Sequence, residues 1–140
     1  MGGFTTPPAG TPIQTYTISN NILIAHDKEI YISNTSGIFK EITIAKVYPS
    51  PVTMRTYFEM NAGPSTNTLT CQIYKNGSAY GTARTSNTNG YIAYTEDLSF
   101  ASGDKIQLYA SFTYPAGAYI KNFRILGDVS NITFLAFITI

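Results

Sequence analysis

The sequence predicts an all-β protein, an antiparallel two-sheet sandwich of the jelly-roll kind with about nine to ten strands. Three observations carry that prediction. β-Branched and aromatic residues outweigh helix formers almost everywhere, and no stretch shows the apolar period of a good helix. Runs of alternating apolar and polar residues recur between clusters of Gly, Pro and Asn. The 140 residues fit one domain, large enough to bury a core without disulfides or a metal. An immunoglobulin-like topology is disfavoured, because the chain has a single cysteine and no tryptophan.

Taken in order, residues 1–12 form an extended arm bearing Pro7, Pro8 and Pro12, and residues 13–140 form the sandwich domain. "QTYTISNNILIAHDKEIYISNTSG" reads as short strands broken at Asn20-Asn21, at His26-Asp27-Lys28 and from Asn34 to Gly37. "IFKEITIAKVYP" is a longer strand ended by Pro49 and Pro51. Plain alternation puts Ile42, Ile44 and Tyr48 on one face of it, and Thr43, Ala45 and Val47 on the other. "VTMRTYFEM" sets Met54, Thr56, Phe58 and Met60 against Arg55, Tyr57 and Glu59, the pattern of a half-buried strand. In "TCQIYKNGSAYGTA", Asn76-Gly77 suits a type I′ hairpin turn, and Cys71, in phase with Leu69 and Ile73, is a buried apolar residue. "RTSNTNG" is a polar loop tip. Two strands then flank a turn at Ser102-Gly103-Asp104. The second turns Ile106, Leu108, Ala110 and Phe112 inward and Lys105, Gln107, Tyr109 and Ser111 outward. "AYIKNFRILGD" and "NITFLAFITI" complete the set.

Composition narrows the function. Nine basic and eight acidic residues give a formal charge of +1, and the charged fraction of 12% is half the usual roughly 25%. The cations are scattered singly, which argues against a nucleic-acid partner. A surface of Thr, Ser, Asn and Tyr is common on proteins that pack against copies of themselves. No segment approaches a membrane span, and the N-terminus lacks the basic start and apolar run of a secretion signal. "MGGFTT" fits a loose myristoylation pattern that matters only in a eukaryote.

The terminal "NITFLAFITI" has no wet face: Ile132, Phe134, Ala136, Ile138 and Ile140 alternate with Leu135 and Phe137. Together with "SGDKIQLYASFTYPAGAYIKNFRILGD", it resembles the closing strands of trimeric C1q/TNF-like jelly rolls. "CQIYKNGSAYGTARTS" and "YIAYTEDLSFASGDKIQLYAS" are similar to small β-domains of tailed-bacteriophage virions, so that the resemblance spans residues 38–140. It implies a homotrimer in which Leu135, Phe137 and Thr139 lie at the subunit contact, with Phe134, Ile138 and the face of Ile106 and Leu108 in the core. It implies a capsid decoration (cement) protein, located in the virion and assembled in the host cytoplasm. Its partners would be copies of itself and the major capsid protein or another virion protein, with arm residues Phe4, Pro7, Pro8 and Ile13 lying on a neighbour. The alternative is a trimeric receptor- or carbohydrate-binding tip of a tail or head fibre, holding a host surface glycan through loop residues Tyr80, Asn87, Asn89 and Tyr114. A monomeric sandwich whose last strand is central and covered is the competing explanation.

Catalytic signals are absent at the level of motif. His26 has Asp27 and Glu29 beside it, but neighbouring strand residues face opposite ways and no nucleophile motif accompanies them. Glu96, Asp97, Asp104 and Asp128 flank loops without the spacing of a calcium motif. Glu59 and Glu96 are a carboxylate pair by residue type only. The expectation is a protein that is not an enzyme, with no catalytic residue, cofactor or metal. Asn34, Asn76 and Asn131 match the glycosylation pattern and are read as unused.

Overall fold

The computed structural model describes residues 15–16 and 18–140. Among them are twelve strands: β1 (Thr15–Tyr16), β2 (Ile22–His26), β3 (Ile30–Ile32), β4 (Thr35–Tyr48), β5 (Val52–Asn61), β6 (Leu69–Lys75), β7 (Ser78–Ala79), β8 (Arg84–Ser86), β9 (Ile92–Phe100), β10 (Lys105–Phe112), β11 (Ala118–Leu126) and β12 (Thr133–Ile138). They build two six-stranded sheets. Sheet A runs β9-β5-β11, with β2 and β3 along the far side of β11 and β1 beside the start of β5. Sheet B runs β12-β4-β10-β6, with β7 and β8 on the far side of β6. Every pairing is antiparallel except β1 with β5. The sandwich expected from the sequence is therefore the fold. Its strand number exceeds the expectation because β1, β7 and β8 are pieces of two or three residues. The expected arm, with Phe4, Pro7, Pro8 and Ile13, lies outside the described residues.

The core follows the two-residue period. Met54, Thr56, Phe58 and Met60 of β5, Leu69, Cys71 and Ile73 of β6, and Ile106, Leu108, Ala110 and Phe112 of β10 are all buried. Each large apolar side chain removed from water contributes about 1.5–3 kcal/mol. Asn76 and Gly77 take φ of 54° and 86°, as a type I′ turn requires, and join β6 to β7.

One expectation of side-chain direction and two of burial are corrected. Leu135 pairs with Lys46 and Ala136 with Ile44, leaving Ala45 as an extra residue in β4. That bulge reverses the phase, so Val47 is buried and Tyr48, at 68% exposure, faces solvent. Gln107 is buried although it lies on the outer face of β10. Its amide accepts from Gly77 N (2.8 Å) and donates to Glu41 Oε2 (2.8 Å), bridging hairpin and β4. Ile138 does point inward, opposite Ile42, yet is 46% exposed, because β12 is the edge of its sheet and the rim beyond Ala136 is open.

A buried lysine ties the two sheets together. Lys40 alternates in phase with Ile42 and Ile44 and is fully buried between the layers. Its ammonium donates to the carbonyls of His26 (2.6 Å) and Lys28, holding the β2–β3 connection of sheet A against β4 of sheet B. His26 Nε2 in turn lies 2.7 Å from Ile140 O, and Lys40 Nζ lies 3.4 Å from His26 Nδ1. Burial pushes the Lys40 amine down to about 8; the Asp27 charge opposes the shift and Lys28 adds to it. Burial, with the Lys40 charge second, lowers the His26 imidazole below its usual range.

A lowered lysine means that the unfolded chain binds more protons than the folded one above about pH 8, so stability rises with pH there. Unfolding free energy measured by urea titration is expected to climb by about 1–3 kcal/mol between pH 8 and pH 10. Lys40→Met should flatten that climb. Above this window the tyrosines reverse the trend, because Tyr57 and Tyr91 are shifted upward by burial and hold their protons longer when folded. A second expectation concerns Gly63, at φ +73°, where a Cβ would collide with the carbonyl oxygen of Gly117. Gly63→Ala should cost at least about 2 kcal/mol in the same assay, whereas Gly77→Ala, open on all sides, should cost about 1 kcal/mol.

Candidate functional site

The outer face of sheet B is assembled from β12, β4, β10 and β6. Thr133 opposite Tyr48, Leu135 opposite Lys46 and Phe137 opposite Thr43 share this face. Tyr48, Leu135 and Phe137 are 68%, 61% and 49% exposed. On the reverse of the same strand Phe134 and Ala136 pack against the core, as does Ile132 just before it. β12 has β4 on one side and presents its other edge at the sandwich rim, where Ile22 of β2 is also exposed.

Beside this apolar strip runs a polar belt. Thr139 Oγ1 donates to Glu41 Oε1 at 2.5 Å and lies 3.0 Å from Thr43 Oγ1; Gln107 Nε2 donates to the other Glu41 oxygen. The Thr139 and Gln107 hydrogen bonds hold the Glu41 carboxyl below its ordinary range, so it stays ionised. Backbone bonds from Glu41 N to Ile140 O and from Thr139 N to Glu41 O seat the last residues. Beyond the belt, Tyr74 and Tyr109 stack with centroids 4.8 Å apart and planes 8° from parallel. The diagonal follows from register, since Gln107 faces Tyr74 and Tyr109 faces Gln72.

The other residues singled out in the sequence are dispersed. Asn87 and Asn89 are exposed in the connection after β8, and Tyr114 in the turn after β10. These loops share one end of the sandwich with Asn61 and Asn67: Asn61 Oδ1 accepts from Gly90 N, and Asn67 Nδ2 donates to Thr113 O. Tyr80 lies toward the opposite end, its hydroxyl on Ser99 O at 2.8 Å, its ring edge-on to Phe100 and under the Lys75 ammonium. The acids are likewise apart. Glu96 accepts from Thr82, Asp97 pairs with Arg55, Asp104 accepts from Asn76 and Asp128 from Ser130. Among the described residues no three His, Cys, Asp or Glu are placed to share a metal ion, and none of their helices is long and apolar enough to cross a membrane.

The outer face of sheet A differs in chemistry. Arg55 makes a bidentate pair with Asp97 (2.9 and 3.2 Å) and Arg124 another with Asp27 (2.7 and 2.9 Å). Tyr57 donates to Glu59 between them, and Asn122 Nδ2 reaches the same carboxylate at 2.5 Å. Arg55, Tyr57 and Glu59 form the outward row expected of β5; Arg55 pairs across to β9, while Tyr57 and Glu59 bond to each other.

No family model matches the chain, and no curated protein matches it. A solved structure, a family 35 carbohydrate-binding module from an environmental isolate, aligns with a TM-score of 0.44 at 18% identity, covering 86% of this chain and 88% of that one.

The two faces of β12 separate by mutation. Phe134→Ala is expected to cost about 3 kcal/mol of monomer stability. Phe137→Ala should fall within about 0.5 kcal/mol of wild type under conditions that keep the chain monomeric. Urea unfolding of the two variants measures the difference.

Proposed function

We propose that the chain is a non-catalytic assembly subunit which associates as a homotrimer through the outer face of β12 and serves as a decoration protein on a phage capsid. The observation that supports this reading is the pair Leu135 and Phe137, left in water on the uncharged edge strand β12, with exposed Tyr48 of the adjoining β4 on the same face and Lys46 opposite Leu135. Isolated exposed apolar residues need no explanation, but adjoining ones on a flat sheet face are the feature that partner surfaces cover. Covering all three would return on the order of 1 kcal/mol each, since each is already partly buried. The polar belt of Thr43, Glu41 and Gln107 beside the strip gives the interface a hydrogen-bonding rim, the usual anatomy of a subunit contact.

The function in this reading is mechanical. Each trimer would bridge neighbouring shell subunits, and many weak contacts would add through avidity. Titratable groups that could serve catalysis have structural tasks instead: Lys40 and His26 secure the rim, and Cys71 is buried with its thiol pushed well above its ordinary value by desolvation. The virion setting comes from the resemblance of residues 38–140, while the self-association comes from the strip.

Native mass at low micromolar concentration tests the reading. Wild type should run at three times 15.3 kDa. Leu135→Lys combined with Phe137→Glu should run as a monomer with unchanged unfolding free energy, since neither side chain packs into the core. A wild-type monomer at that concentration would remove the trimer from the proposal.

A further inference from the structure

The outer face of sheet A carries a groove that the assembly reading does not use. Cross-strand register sets Thr95, Tyr57 and Arg124 side by side, and the next outward row sets Asp97, Arg55 and Leu126 in line with Ile22. Where these rows meet the chain before β2, a groove of about 360 Å³ opens, lined by Asn20, Ile22, Tyr57, Thr95, Arg124 and Leu126. That size falls within the roughly 300–1,000 Å³ of small-molecule sites.

Charge decides what the groove would take. The Arg124 guanidinium in the lining is neutralised by a bidentate pair with Asp27, and Arg55, bonded to the lining residue Asn20, by one with Asp97. An added phosphate or carboxylate would meet those acids, and an added cation would meet the arginines. The remaining hydrogen-bonding capacity is neutral in sum. Among the described residues, Arg124 spends Nε and Nη2 on Asp27 and Asn20 uses its carbonyl on Arg55, which leaves Arg124 Nη1 and the Asn20 amide nitrogen without a bond to another described residue. The Thr95 hydroxyl makes no hydrogen bond with another described residue. Beside these groups lies a small apolar patch, Ile22 at 54% exposure and the half-buried Tyr57 ring, over Leu126, which is 6% exposed. The Arg124 guanidinium sits 5.7 Å from the centre of that ring, on one face of it. Planar hydrogen-bonding side chains next to a small apolar patch, with no net charge, match a polyhydroxylated ring that has one polar edge and one C–H face.

We propose that this groove binds one neutral sugar ring, with Arg124, Asn20 and Thr95 on its hydroxyls and Ile22, Leu126 and Tyr57 on its C–H face. The site is distinct from the loop end that carries Asn87, Asn89 and Tyr114, and lies on the opposite sheet from the proposed subunit contact.

The test is an amide chemical-shift titration of the full-length isotope-labelled chain. The probes are the methyl pyranosides of glucose, galactose, mannose and N-acetylglucosamine at tens of millimolar, with sodium phosphate as the anionic arm. At least one glycoside is expected to shift the amides of Asn20, Tyr57, Thr95 and Arg124 saturably, while phosphate leaves them unmoved. Arg124→Lys, which keeps the charge but loses the planar fork, should weaken that binding about tenfold. Thr95→Phe should abolish it by filling the groove. Thr95 is an exposed strand residue, so this second variant stands as a test even if Arg124→Lys disturbs the fold. The proposal is overturned if none of the four glycosides shifts these amides, or if phosphate shifts them in their place. Shifts confined to the loop end, or binding that survives Thr95→Phe, would overturn it as well.

Discussion

Everything in this fold depends on keeping one apolar face of each sheet aimed at the other. A strand has only two faces, so a shift of a single residue exchanges them entirely. The core strands β5, β6 and β10 hold a strict two-residue period. The strands that must both bend and pair on two sides depart from it. β4 inserts Phe39 opposite β10 and Ala45 opposite β12, and β11 carries Asn122 at φ 55° within an irregular register. These insertions let Lys40, Ile42, Ile44 and Val47 all reach the interior, and they let Ile120 and Phe123, three residues apart, do the same.

At the rim shared by β2 and β12 the apolar layer is incomplete, and a polar device closes it. Lys40 spans the layers to two carbonyls, and His26 joins the chain at Ile140. A buried amine with a lowered proton affinity is a costly tie, sustained by its direct bonds to two backbone carbonyls. The same rim leaves Ile22, Ile138 and Ile140 half in water.

The two outer faces divide the remaining chemistry. Sheet B presents aromatic, amide and aliphatic groups together with one ionised acid, Glu41, and the exposed lysines Lys46 and Lys105. Sheet A concentrates its charge in two closed ion pairs around Tyr57 and presents hydrogen-bonding edges rather than net charge. A low overall charge is common to both, and it is the arrangement of neutral groups that distinguishes them.

Much of this was legible in the residues alone. The sandwich, the Asn76-Gly77 hairpin, the burial of Cys71 and the inward set of β5 and β10 follow from local period and turn chemistry, because each depends on one strand and its own turn. The exposed strip was also half visible, since Leu135 and Phe137 stand out of phase with Phe134 and Ala136. Lys40 carried a signal that went unread: it keeps phase with Ile42 and Ile44. Other features could not be read that way. Ala45 looks like any strand residue, and its bulge exists only through the register of β12 on β4, so the reversal of Val47 and Tyr48 was decided by pairing. Gln107 is buried by a hairpin that folds back beside it, and Ile138 is exposed because its strand ended at the edge of a sheet. The groove on sheet A joins Asn20, Tyr57, Thr95 and Arg124 from four separate segments. The sequence by itself determined which faces would be apolar; tertiary structure alone decided which strands became edges and which distant polar groups met, because strand order and register are properties of pairs of strands and not of any one run of residues.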